Sequence, residues 1–300
     1  MITNYNFLIN QILDLYNSNK NAFDFHQRAH NVLKQLKSPI IISKIFERNL
    51  SNSEFTNRNW LNDEIPYLTI FKNNNIEIKI NIFAPAIRSN SDNAAYLIHH
   101  HGNSILSSFI FHGPGYRALE FYKNIIRKND DSYILKIKKD FFHSKGNINV
   151  TDSWTPHVIS EVKDLTASIV LWSEDNTILD IKSKSYFEKE RTNYYIKDKK
   201  VCGIKDSEFV KKSSLLFPNN NFFHVKAITY FMNEISYKND EFIDEKLNDG
   251  NCPEEWKIEL TNLKNNTISV PHYTNTNTLN KNLKIKDITR ALKTKRFRYF

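Results

Sequence analysis

Glycine is scarce in this chain, with 6 among 300 residues, and neither a GxGxxG run nor a P-loop occurs. A backbone cradle for phosphate groups is excluded with them. Cysteine is nearly absent too: Cys202 and Cys252 stand fifty positions apart. They can build neither a disulfide framework nor a thiolate zinc site, which is the pattern of a reduced intracellular chain. No apolar run approaches the roughly 18 residues that a membrane-spanning helix needs. The first twenty residues, MITNYNFLINQILDLYNSNK, lack the basic stretch and small-residue cleavage site of a secretory leader. These absences predict a cytoplasmic protein with no membrane partner.

What is present is ordinary for a globular chain, with one bias. Aromatic residues reach 13%, including 21 Phe and 14 Tyr, so large flat side chains must do much of the packing. The formal net charge of +9 raises the question of a nucleic-acid partner. The basic residues are dispersed, however, and the dense cluster is the terminal stretch Lys284 to Tyr299. A solvated lysine-rich surface is the preferred reading, and nucleic acid is not expected as a partner.

Three regions are predicted, 1–60, 61–185 and 186–300. In the first, Phe7, Leu8, Ile12, Leu15 and Tyr16 share one helical face, as do Phe25, Ala29, Val32, Leu33 and Leu36 before Pro39. His26 and His30 lie one turn apart there. Gln27 stands where a zinc-protease helix has Glu, so both are read as surface or partly buried helix residues.

The period changes near residue 66. Ile76, Ile78, Ile80 and Ile82 alternate with Glu77, Lys79 and Asn81 as in a half-buried strand, after a hairpin signal at Asn73-Asn74-Asn75. Short apolar runs follow at 95–98, 107–111, 116–122, 133–137 and 167–172 with no helical pattern between them. The fold class predicted is mainly β, an antiparallel barrel or sandwich with flanking helices. In the last region, 184–212 reads as linker or exposed strand, Phe223 to Ile235 and Glu254 to Leu263 as helices, and 272–282 as loop.

Histidines 99–101 stand consecutively within a strand pattern, which places His99 and His101 on one face and His100 on the other. Two such imidazoles can share one metal ion if a neighbouring strand supplies a third. His157, after Trp154-Thr155-Pro156 and before Val158-Ile159, is the best candidate; His112 and His143 are lesser ones.

The stretch YLIHHHGNSILSSFIFHGPGYRALEFY, 96–122, resembles the first motif of the cupin superfamily, in particular its cysteine-dioxygenase branch. The second half, TPHVISEVKDLTASIVLWSED at 155–175, resembles that branch as well, and the likeness covers roughly residues 60 to 180. It implies a jelly-roll cupin barrel with N-terminal helices and a mixed C-terminal extension. It also implies Fe(II), or another divalent metal, on His99, His101 and His157, a small-molecule substrate and dioxygen. Trp172 and Tyr116 are expected in the pocket wall and Glu120 as a partner of the ligands, although each also reads as a core or surface residue.

Several positions depart from the family pattern. No carboxylate ligand follows His101, where Gly102 to Leu106 stand. The cysteine that some members use for a thioether falls on Leu106. The tyrosine near the metal falls on Trp172, and the substrate-clamping arginine has no counterpart around Pro66-Tyr67-Leu68. Free cysteine is therefore not the expected substrate. The alternatives are a cupin metalloenzyme of another reaction type and a ligand-sensing protein whose basic tail makes contacts.

Overall fold

The computed structural model describes residues 5–19, 21–58, 60, 65–85, 98–123, 126–129, 132–134, 137–174, 193–197, 200–204 and 220–271. Residues 272–282 and the basic stretch 284–299 lie outside them. Helices α1 (Tyr5–Ser18), α2 (Ala22–Gln35) and α3 (Pro39–Leu50) and the single turn α4 (Ser53–Thr56) open the chain. Asn21 caps α2 through its side chain, accepting from the N–H of Phe23 at 2.8 Å. Pro39 ends one helical run and begins the next, at a position whose N–H has no partner inside a helix.

Thirteen strands follow among the described residues: β1 (Tyr67–Lys72), β2 (Ile76–Phe83), β3 (Ile98–His99), β4 (Ser104–His112), β5 (Gly115–Phe121), β6 (Ile126–Asn129), β7 (Ser132–Ile134), β8 (Ile137–Ser144), β9 (Ile148–Thr151), β10 (His157–Val162), β11 (Thr166–Glu174), β12 (Asn193–Lys197) and β13 (Lys200–Ile204). One sheet runs β1-β2-β11-β4-β9 and the other β6-β7-β13-β12-β3-β10-β5-β8, with every pairing antiparallel. From β2 to β5 and again from β8 to β11 the chain alternates between the two sheets. That alternation, with the orders β2-β11-β4-β9 and β3-β10-β5-β8, is jelly-roll connectivity. The sheets form a sandwich and do not close into the expected barrel. Of the apolar run expected over 133–137, residues 133–134 lie in β7 and 137 opens β8, and 135–136 lie outside the described residues.

Strand β2 shows how the sequence sorts itself. Ile76, Ile78, Ile80 and Ile82 are buried against the helical layer, together with Ile169 and Leu171 of β11 and Phe109 of β4. The same core takes in α5 (Asn220–Glu234), α6 (Asp240–Asn248) and α7 (Glu254–Lys264) through Ile228, Phe231, Ile243 and Leu260. The opposite faces enclose a smaller core of Phe83, Ile110, Tyr116, Ala118, Ile159 and Val162. Between those faces lies the cavity described below.

Two junctions fix the helices to this sheet. Arg48 and Asn49 of α3 reach the backbone of β1: Asn49 exchanges bonds with the C=O and N–H of Thr69 at 2.8 and 3.0 Å. Arg48 and Tyr5 donate to the carbonyl of Ile70, which sits at a bulge in the β1–β2 register. The second junction is His26 of α2. It is fully buried, contrary to the surface or part-buried reading, and bonds Ser107 of β4 at 2.8 Å and Ser173 of β11 at 3.0 Å. Burial, with a smaller contribution from His30, pushes its pKa down to about 3.

Candidate metal centre

Strand β3 stops at His99, and His100 and His101 lie in the following turn rather than inside a strand as expected. The reason is Gly102, whose φ of +58° turns the chain; its N–H donates to His100 Nδ1 at 3.1 Å. This turn is clamped from the far end of the motif. The Trp154 backbone N–H donates to the Gly102 carbonyl at 2.7 Å, and its indole N–H donates to Asn103 Oδ1 at 2.7 Å. Trp154 itself has φ +58°, a conformation that costs about 1–2 kcal/mol for a residue with a Cβ. Three residues later His157 starts β10, between His99 of β3 on one side and Glu120 of β5 on the other.

Three imidazoles converge as a result. Ring centroids lie 4.8 Å apart for His99 and His101, 4.5 Å for His99 and His157, and 4.7 Å for His101 and His157. One ligating nitrogen from each falls within 4.8 Å of the others. His157 Nδ1 donates to the Thr155 carbonyl at 2.9 Å, which leaves the Nε2 lone pair bare. That Nε2 faces His101 Nε2 at 3.1 Å. Two nitrogens each about 2.05 Å from one ion stand about 2.9 Å apart in octahedral and about 3.4 Å apart in tetrahedral geometry. The observed separation falls between those values, so His101 and His157 fit one divalent metal as a pair, and His99 offers a third nitrogen within 4.8 Å. Burial holds His101 well below the ordinary imidazole range, reinforced by the nearby His157, His99, His100 and Lys79. Burial likewise lowers His157, to about 4. Both rings are thus neutral at pH 7, the form that ligates.

The three rings open onto a cavity of about 340 Å³ between the sheets. Trp172 stands edge-on to His101 with centroids 4.0 Å apart, and Leu106 lines the same wall. Tyr116 also lines the cavity and bonds His143 Nδ1 at 3.2 Å and Ser108 Oγ at 3.4 Å. His143 Nε2 must donate to the Asn147 carbonyl at 3.1 Å, so Nδ1 accepts the phenolic proton. Burial pushes Tyr116 up to about 12 and His143 down to about 4.

Glu120 lines the cavity without bonding the three histidines. Its Oε1 accepts from Asn149 Nδ2 at 3.1 Å and Thr151 Oγ1 at 3.4 Å. Of the lesser histidines, His143 lies in the cavity wall outside the cluster. His112 lies beside Glu234 of α5, 4.0 Å away.

Sequence reasoning passed over Lys79, Asn149 and Thr151. Lys79 belongs to the polar side of the alternating strand β2, and that side faces the cavity: its side chain is 16% exposed, 3.1 Å from Glu77 and 4.1 Å above the Tyr67 ring. The alternation signalled two faces, but only the facing sheet reveals that the polar one is enclosed.

Similar solved structures include cupin-domain proteins. The cupin domain of Cnp3 from Schizosaccharomyces pombe is 12% identical over 42% of this chain and 75% of its own, with a TM-score of 0.27. DMSP lyase DddQ from Ruegeria pomeroyi is 14% identical over 38% of this chain and 49% of its own, with a TM-score of 0.25. KdgF from Halomonas sp. is 11% identical over 38% and 80%, also at 0.25. No family model and no curated protein sequence matches the chain. Likenesses this slight say nothing of activity, and the functional reading rests on the site itself.

Proposed function

We propose that this chain is a metal-dependent cupin oxygenase of the non-haem iron type, acting on a small molecule that is not free cysteine. The observation that carries the reading is the convergence of His99, His101 and His157, with His101 and His157 Nε2 at 3.1 Å. A bound Fe(II) would supply a centre at which a chelating substrate and dioxygen meet. Imidazoles suit other divalent ions as well, so iron follows from the family resemblance rather than from the donor set.

The chain's own residues do the remaining work. The Thr155 carbonyl fixes the tautomer and plane of His157. Trp172 packs on His101 and limits its rotation, while Leu106 and Val170 keep that wall apolar. Substrate held between these walls is confined near the three nitrogens, which is where a proximity gain arises.

A second reading is a metal-dependent enzyme moving protons instead of using oxygen, such as a lyase or isomerase. Two observations favour it: the Tyr116–His143 pair, which holds a phenolic proton against an unprotonated Nδ1, and the carboxylate of Glu120 in the same cavity. Elemental analysis of the purified protein beside His99→Ala and His157→Ala tests the shared premise. Stoichiometric metal in the parent and its loss from both variants is expected; equal metal in all three removes the reading. Oxygen consumption by the iron-loaded protein separates the two reaction types.

A further inference from the structure

His101 and His157 face each other across a gap of 56 positions in the chain. Strand β3 has two residues, and its register with β10 is the single pair His99–His157. His101 lies beyond the end of that strand, so no ladder sets its distance from His157. Another contact has to hold the two rings in register.

The loop 152–156 supplies it. At the β5 end, Lys123 forms an ion pair with Asp152, and the Phe121 N–H donates to the Pro156 carbonyl at 2.8 Å. Toward β3, Trp154 reaches across. Its backbone N–H donates to the Gly102 carbonyl and its indole N–H to Asn103 Oδ1, both at 2.7 Å. Its ring packs on His100 with centroids 5.2 Å apart. These contacts bracket His101 from both sides. Trp154 is buried at a φ of +58°, a backbone region suited to glycine. A large side chain kept in so disfavoured a conformation points to a task for it.

We propose that Trp154 is a positioning residue for the metal centre: its grip on Gly102 and Asn103 sets the separation of His101 and His157, and with it the affinity for the ion. The proposal rests on the metal-site reading for the ion. The separation itself needs no metal, because His157 Nε2 is bare and accepts from His101 Nε2 across 3.1 Å.

The test compares the full-length parent with Trp154→Phe, Asn103→Leu and Asn103→Asp by calorimetric zinc titration. Phenylalanine keeps a ring against His100 and loses the indole donor. Leucine removes the acceptor, and aspartate restores it. The zinc Kd should rise about tenfold in the first two variants and stay within about threefold of the parent in the third. Trp154→Phe combined with Asn103→Leu should bind zinc no more weakly than either alone, since both remove one bond. Urea unfolding of the metal-free proteins identifies a purely structural role. A lowered midpoint with unchanged zinc affinity in Trp154→Phe and Asn103→Leu would overturn the proposal, as would Asn103→Asp weakening zinc as much as Asn103→Leu. If the parent takes up no zinc, the metal reading fails by itself and the metal-free protein decides this one. Nitrogen–nitrogen coupling across the His101–His157 hydrogen bond should then appear in the parent and Asn103→Asp and vanish in Trp154→Phe and Asn103→Leu. Coupling in every form, or in none, would overturn the proposal.

Discussion

Replacing His26 by Gln should make the protein less sensitive to acid. The imidazole of His26 is fully buried between Ser107 and Ser173, and its pKa is lowered from 6.5 to about 3. Unfolding exposes it, so below pH 6.5 the unfolded chain takes up a proton that the native state refuses. Stability from this group is thus complete above pH 6.5 and is lost as pH falls toward 3, at about 1.4 kcal/mol per pH unit. At pH 4.5 the loss amounts to about 3 kcal/mol, and below pH 3 it levels off near 5 kcal/mol. Glutamine offers one donor and one acceptor to the two serines without titrating, at a cost of about 1 kcal/mol near neutrality. Urea unfolding of both proteins from pH 7.5 to 4.5 isolates the effect, because every other histidine titrates in both. The parent's advantage should shrink by about 3 kcal/mol across that range and reverse in sign near pH 5.5. A difference constant with pH would refute the reasoning, since it would mean that the site admits the charged ring.

Other outcomes follow from the same geometry. Zinc or Fe(II) at a hundredfold excess over its dissociation constant should stabilise the parent by about 2.7 kcal/mol, and a thermal scan of His157→Ala should show no such gain. Gly113→Ala should destabilise severely, by about 3 kcal/mol or more. Its φ is +75° and a Cβ would lie 1.9 Å from the Leu165 carbonyl oxygen; a urea midpoint within experimental error of the parent's would contradict this. Tyr116→Phe leaves His143 Nδ1 without its donor and should cost about 1–3 kcal/mol. Nitrogen NMR should show the His143 tautomer unchanged, because the Asn147 carbonyl, and not Tyr116, holds the proton on Nε2.

Much of the sandwich was legible because its strands obey a period of two: the expected runs at 76–82, 107–111, 116–122 and 167–172 each fall within or across one observed strand. Strands β8 and β9 escaped notice. Ile137–Ser144 carries Lys138, Lys139 and Asp140 on an edge open to solvent, where no apolar alternation is required. Helix α6 was missed for a related reason, since its nine residues bury only Ile243 and Lys246 fully. At the site, His-x-His plus a distant His marked the three converging rings, because the ligating residue types are rare and their spacing informative. The partners of Glu120 were not legible: Asn149 and Thr151 lie 29 and 31 positions away and meet it only where the two sheets face each other. His26 was misjudged because a helix shows which residues share a face, not which strand hydroxyls wait opposite a polar one.

The grip of α3 on β1 has a consequence for how this molecule can be taken apart. Strand β1 ends its sheet, and an outermost strand with bare carbonyls is an invitation to pair with another chain. Here Arg48, Asn49 and Tyr5 occupy the carbonyls of Thr69 and Ile70, so the opening segment acts as the sheet's selvedge. A shortened protein beginning after residue 60 would carry every metal-site histidine yet present a raw border, and clumping through it would be the first obstacle to isolating the β sandwich alone.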